Sequence, residues 1–220
     1  MNNIIGKRAP NLTISDWIQG KPTNIDKERD NVILVEVFQV NCPGCFIYGI
    51  PECIRLFNQF ANNNFKILGL ATAFEDFDKN TLENLKKLVY KGEVIGETQR
   101  VLSQYGKLRN GNELTYRVPF SIAMDDLHRL DTNLTESKVM DFIEANVQDF
   151  RSYEENDRQR IIANVKQYLR AKIYTAKTFE EYELKGTPSS ILIDRKGIVQ
   201  DISFGATNSL EFQIEQLLKE

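Results

Sequence analysis

Three cysteines and a single histidine in 220 residues leave little material for a disulfide framework or a metal cluster. Small secreted folds are stapled by several paired cysteines, and a count of three does not resemble that framework. An iron–sulfur site on four cysteine ligands is excluded by the same count. Basic residues are not in excess: 28 Lys and Arg stand against 31 Asp and Glu, a net charge of −3. The chain therefore lacks the electrostatic footprint that nucleic-acid phosphates require. Every apolar run breaks well short of the roughly 18–20 residues a membrane-spanning helix needs. Low-complexity tracts and internal repeats are also missing. No nucleic-acid partner and no membrane association are expected. Met1 to Pro10 carries two basic residues with no apolar run behind them, unlike a secretory signal, and the cytoplasm is the expected compartment.

What is present is apolar periodicity in a chain that is 41% hydrophobic and 27% charged, long enough to bury a sizeable core without staples. Val32 to Val40 (VILVEVFQV) is nearly all apolar and β-branched, the pattern of a central strand covered on both faces. Phe46, Ile50, Cys53, Phe57 and Phe60 then recur at three- and four-residue steps, with Ile47 and Ile54 beside them, as on a core-facing helix. Phe65 to Thr72 reads as a second buried strand, which makes a strand-helix-strand unit and favours a parallel pair. Thr81 is placed to cap a helix striped by Leu82, Leu85, Leu88 and Val89, and Gly92 to end it in a left-handed conformation. A short helix is expected over Glu97 to Tyr105. Tyr116 to Met124 reads as a further strand that Pro119 pushes towards an edge or a bulge.

Beyond Met124 the composition becomes strongly charged, with helical stripes at Val139, Phe142, Ile143 and Val147 and again at Ile162, Val165 and Leu169. Ser189 to Asp194, the turn Arg195-Lys196-Gly197 and Ile198 to Phe204 form a hairpin pattern, followed by a helix with Leu210, Ile214, Leu217 and Leu218. The expected class is α/β: a three-layer arrangement with a mixed central sheet between helices. Residues 1–220 are read as one domain, with 125–183 as a helical insertion.

The chemistry concentrates at Cys42-Pro43-Gly44-Cys45, where strand becomes helix. A thiol at a helix start lies near unpaired N–H groups and the positive end of the helix dipole, which favours thiolate, so Cys42 is the candidate nucleophile. Two intervening residues put Cys45 within bonding reach, able to resolve a mixed disulfide. Pro43 suits the first helical turn. Glu36 interrupts the apolar strand that should lie beneath this pair, and burial would raise its pKa and let it take the proton of Cys45. A Glu36 at a strand end, reaching water, is the alternative. Cys42, Cys45, Cys53 and His128 form a permissible zinc set by residue type. Cys53 lies two turns along the apolar stripe and His128 in a remote charged stretch, which argues against it. No metal and no cofactor is expected, and Cys53 reads as a small buried hydrophobe.

With these residues in place the chain resembles the thioredoxin superfamily, and within it the redoxin or TlpA-like (AhpC/TSA-related) group. The resemblance rests on the Cys-x-x-Cys after a buried strand, on Glu36 at the position of the buried thioredoxin aspartate, on Gly186-Thr187-Pro188 before a strand, on Asp194-Arg195-Lys196-Gly197, and on the opening Gly6-Lys7-Arg8-Ala9-Pro10. It implies a thiol-disulfide oxidoreductase acting on protein or small-molecule disulfides, with a separate reductant or oxidant upstream. It also implies that Pro188 is cis and packs against the cysteine pair, that the Thr187 backbone pairs with substrate, and that Pro43 and Gly44 face that substrate. Asn41 stands where many relatives have Trp, and Pro51 comes one residue later than the helix proline of thioredoxin. Two other readings stay open. One is a peroxiredoxin-like peroxidase working through Cys45, although the hydroxyl such enzymes carry three residues earlier is here Cys42. The other is a redox-inert binding module.

Overall fold

The computed structural model describes residues 4–60, 63–130, 134–207 and 209–220. Met1–Asn3 of the expected non-signal terminus, and residues 131–133 of the charged stretch, lie outside the described residues. In chain order the elements are β1 (Ile14–Gln19), β2 (Val32–Phe38), α1 (Ile50–Phe60), β3 (Phe65–Ala71), α2 (Leu82–Lys91), α3 (Gly96–Gln104), β4 (Leu108–Arg109), β5 (Glu113–Leu114), β6 (Ser121–Asp125) and β7 (Leu127–Arg129). They continue with α4 (Glu136–Asn146), α5 (Glu155–Ala171), β8 (Tyr174–Ala176), α6 (Lys177–Glu181), β9 (Ser189–Ile193), β10 (Val199–Phe204) and α7 (Leu210–Lys219).

Six strands form one mixed sheet in the order β1-β6-β3-β2-β9-β10. β2, β3 and β6 run parallel, while β1, β9 and β10 join antiparallel. This is the α/β class with the mixed central sheet that the sequence pattern implies. All seven residues of β2 are buried, as expected for a strand covered on both faces. Side chains alternate along it: Ile33, Val35 and Val37 enter the core that includes Leu70, Ile191, Phe179 and Tyr182. Val32 and Leu34 enter the opposite layer with Cys53 and Leu56 of α1, and Phe38 packs with Phe46 and Ile50. By the same period of two, Glu36 faces the α1 side of the sheet.

Local signals act where they were read. Thr81 accepts a 3.2 Å hydrogen bond from the Asn84 N–H, and Gly92 ends α2 at a φ of 76°. The β9–β10 hairpin and α7 also form where the pattern places them. One expectation is corrected. β6 is an interior strand, flanked by β3 and by β1, and Pro119 lies outside it on the approach, where its missing N–H breaks no ladder. The edge on that side belongs to β1, whose half-polar sequence ISDWIQ and two register shifts disguise it. Asp125, fully buried at the end of β6, is satisfied by the N–H groups of Thr178 (2.9 Å) and Phe179 (3.2 Å) and by the Thr72 hydroxyl (3.0 Å). It thus caps α6 from a distant strand.

The chain divides into two compact units, Met1–Leu127 with Ala176–Glu220, and His128–Thr175. The second unit contains α4 and α5, which pack Val139, Ile143 and Phe150 against Ile162, Val165 and Leu169. Lys166 and Glu136 tie the two helices across an exposed edge at 2.7 Å. Among the described residues no helix is long and apolar enough to cross a membrane.

Candidate functional site

The strand-to-helix junction after β2 places Cys42 just ahead of a helix that begins at Pro43. Cys42 occupies the N-cap position: its Sγ accepts the Cys45 N–H at 3.3 Å, as a serine or aspartate oxygen would at a capped helix. Its thiol is half-buried and lies 3.4 Å from the Thr187 carbonyl oxygen, towards which it can donate. The pKa of Cys42 is lowered to about 7, first by a hydrogen bond from the Cys45 thiol and then by contacts with Thr187 and the helix-start N–H groups. Cys45 is buried, and desolvation together with the neighbouring Cys42 charge pushes its pKa well up. The two sulfurs therefore divide into a thiol poised to ionise and one held protonated. The Thr187–Pro188 bond is cis, as the family resemblance implies, and Gly44 approaches the Pro188 ring.

Glu36 is fully buried, so the alternative of a strand-end carboxylate in water is set aside. Its pKa is raised to about 7 by burial, against the opposing pull of Ser190 and Cys53. Oε2 accepts a 2.7 Å hydrogen bond from the Ser190 hydroxyl of β9, while Oε1 has no hydrogen-bond partner. The buried Glu36 carboxyl and the Cys45 thiol are not in direct polar contact. No hydrogen bond joins the two, and the polar groups facing the carboxyl are Ser190 and the Cys53 thiol, whose own pKa is driven up by burial and by the Glu36 charge. Cys53 is thus more than filler in the stripe. Ser190 was not singled out in the sequence, because the pairing of Glu36 with Ser190 joins strands 154 residues apart.

The helix over this carboxyl is irregular. Cys45–Gly49 forms a widened π-turn in which the Ile50 N–H bonds to the Cys45 carbonyl, and regular α-helix resumes at Ile50. Pro51 accounts for it: the proline has no N–H for the preceding turn and its ring crowds the carbonyl four residues back. Gly49 lies in this turn directly against the carboxyl. A Cβ there would overlap Glu36 Oε1 and come within 2.8 Å of Pro188 Cβ. Gly49→Ala is accordingly expected to destabilise the fold by about 2 kcal/mol through overpacking. Urea titration of the variant checks this, and a midpoint equal to that of the parent contradicts it.

Asn41, at the position where the resemblance calls for Trp, anchors a polar network beside Cys42. Its N–H donates to Asn80 Oδ1 (2.8 Å), its Nδ2 to Asp76 Oδ2 (2.7 Å), and its Oδ1 accepts the Glu97 N–H (2.7 Å) at the start of α3. Gln39 Oε1 extends the network to the Phe74 N–H and to Asn80 Nδ2, each at 3.1 Å. The loop preceding α2 and the start of α3 are thereby fixed around the cysteine pair. An open cleft of about 390 Å³ adjoins the site, lined by Tyr48, Gly49, Cys53, Ser190, Gly205 and Leu210 among others. Among the described residues no group of three or more His, Cys, Asp or Glu side chains is placed to hold a metal ion.

No family model matches the chain, and no curated protein matches it in sequence. Solved structures do resemble it. A crystallised thiol-disulfide isomerase from Corynebacterium glutamicum is 22% identical with a TM-score of 0.59, over 100% of this chain and 99% of that one. A crystallised thioredoxin-like superfamily protein is 23% identical with a TM-score of 0.58, over 97% of each chain.

Proposed function

We propose that this chain, whose fold is thioredoxin-like, is a thiol-disulfide oxidoreductase that exchanges disulfides with protein or small-molecule partners through Cys42 and Cys45. The observation that carries the reading is the split between the two sulfurs. Cys42 is a half-exposed thiol capping a helix with its pKa brought down to about 7, and Cys45, three residues on, is buried with its pKa pushed up. In the reducing direction the Cys42 thiolate attacks a substrate sulfur, the substrate S–S bond breaks, and the departing sulfur leaves as a thiolate that takes up a proton. Cys45 then gives up its proton and attacks Cys42 Sγ. The second substrate sulfur leaves, and a Cys42–Cys45 disulfide remains, two electrons having passed to the substrate. A dithiol partner restores the reduced pair, and oxidation of a substrate dithiol follows the same steps in reverse.

Glu36 is the buried carboxyl whose raised proton affinity suits it to take the proton of Cys45 as that thiol attacks. Thr187, whose carbonyl already faces Cys42, supplies backbone for an incoming polypeptide, with Pro188, Pro43 and Gly44 around it. The burial of Cys45 speaks against the peroxidase reading, which needs an accessible thiolate at that residue. The test is a thiol count on folded protein after mild oxidation. One free thiol, assigned to Cys53 by mass mapping, is expected; three free thiols after exposure to oxidant sink the oxidoreductase reading.

A further inference from the structure

We propose that Tyr116 is a positioning residue for the resolving step, holding the turn that carries Cys45 by a hydrogen bond from outside the helix; this rests on the dithiol reading above. The argument begins with a missing donor. In the widened turn the Ile50 N–H reaches back five residues to the Cys45 carbonyl. At the same spacing the next carbonyl, that of Phe46, would look to residue 51, which is proline and has no N–H. A buried carbonyl left without a donor costs about 1–3 kcal/mol.

The Tyr116 hydroxyl, from the segment between β5 and β6, fills the gap by donating to the Phe46 carbonyl oxygen at 3.2 Å. Its ring packs against the cluster that contains Cys45, Phe46 and Phe38. Burial, with a smaller contribution from the Cys45 charge, pushes the pKa of the phenol up, so the hydroxyl keeps the proton it donates. The Phe46 carbonyl lies one residue beyond Cys45 in the same turn, so holding it holds the stretch of backbone from which the buried sulfur must approach Cys42. Small misplacements of a reacting atom slow a step steeply. Cys42, by contrast, precedes the helix and is set by its own N-cap bond and by Thr187.

Tyr116→Phe removes one oxygen and leaves the ring in place. Three readouts are compared with the parent: alkylation of Cys42 by iodoacetamide across pH, the lifetime of a preformed mixed disulfide at Cys42, and steady-state disulfide reduction. The mixed disulfide should live roughly tenfold longer, the rate equivalent of about one hydrogen bond. The pH profile of Cys42 alkylation should stay that of the parent. In a Pro51→Ala background, which returns an N–H to the helix, Tyr116→Phe should have little further effect. An unchanged lifetime overturns the inference. So does a longer lifetime accompanied by an equally slowed Cys42 alkylation, which marks a loosened fold, and so does an undiminished effect in the Pro51→Ala background. If the parent itself forms no Cys42–Cys45 couple, the dithiol reading falls and takes this inference with it. If the parent cycles and Tyr116→Phe cycles identically, only the inference falls.

Discussion

Cys45→Ser is expected to turn a transient mixed disulfide into a stable covalent trap, so that partners from a cell extract remain attached to the protein through Cys42 until reductant is added. Cys42→Ser should capture almost nothing and should abolish turnover, because the remaining sulfur at the site is buried and held protonated. The asymmetry follows from placement: one sulfur caps the helix at the surface and the other is enclosed by Phe38, Phe46 and Ile50. Cys53→Ser should capture as the parent does, since Cys53 has no path to a protein substrate from its fully buried position. Non-reducing gels followed by mass spectrometry of the adducts read the result. Greater capture by Cys42→Ser than by Cys45→Ser reverses the roles and returns the peroxidase reading centred on Cys45 to consideration.

Glu36→Gln should change both stability and its dependence on pH. The folded pKa of about 7 lies above the ordinary value of 4.5, so the folded protein holds the Glu36 proton more tightly than the unfolded chain does. The stability this provides is fully present below pH 4.5 and is lost as pH rises through about 7. The loss amounts to about 3 kcal/mol, from the shift at 1.36 kcal/mol per unit. Glutamine cannot ionise and keeps an acceptor for the Ser190 hydroxyl. The variant should therefore be the more stable protein above pH 7 and should lack the parent's decline attributable to this group. Denaturation midpoints measured from pH 5 to pH 9 check the sign, and a parallel decline in parent and variant removes Glu36 as its origin. The same substitution should slow the resolving step between pH 6 and 8; unchanged mixed-disulfide turnover there would strip Glu36 of its proton-transfer role.

How much of this was legible in the sequence depends on how local each signal is. β2 and β3 announce themselves as apolar runs with a single charged residue each, Glu36 and Lys66, and the Thr81 and Gly92 caps of α2 act within a few residues of themselves. The Cys42-Pro43-Gly44-Cys45 spacing and Glu36 within an apolar strand were likewise readable, because both are anomalies against a regular background. β1 was not, since an edge strand needs only one buried face and its two register shifts interrupt even that alternation. The interior place of β6 was lost with it, because a strand's neighbours are set by what pairs with it. Pro51 did carry the π-turn in its missing N–H, but the donor that answers it, Tyr116, comes from 70 residues away. Ser190 and Cys53 acquire meaning only when β9 and α1 bring them to Glu36.

The pairing of β2 with β9 has a consequence in time. Glu36 and Ser190 are 154 residues apart, so at roughly 5–20 residues per second of synthesis the ribosome needs about 8–30 seconds to deliver the partner of a strand it has already released. Throughout that interval the nascent chain owns Cys42, Cys45 and Glu36 but neither the Thr187 carbonyl nor the Ser190 hydroxyl. The Thr187 carbonyl that faces Cys42 and the Ser190 hydroxyl that meets Glu36 are thus delivered to the site only after the whole of the second compact unit has been made.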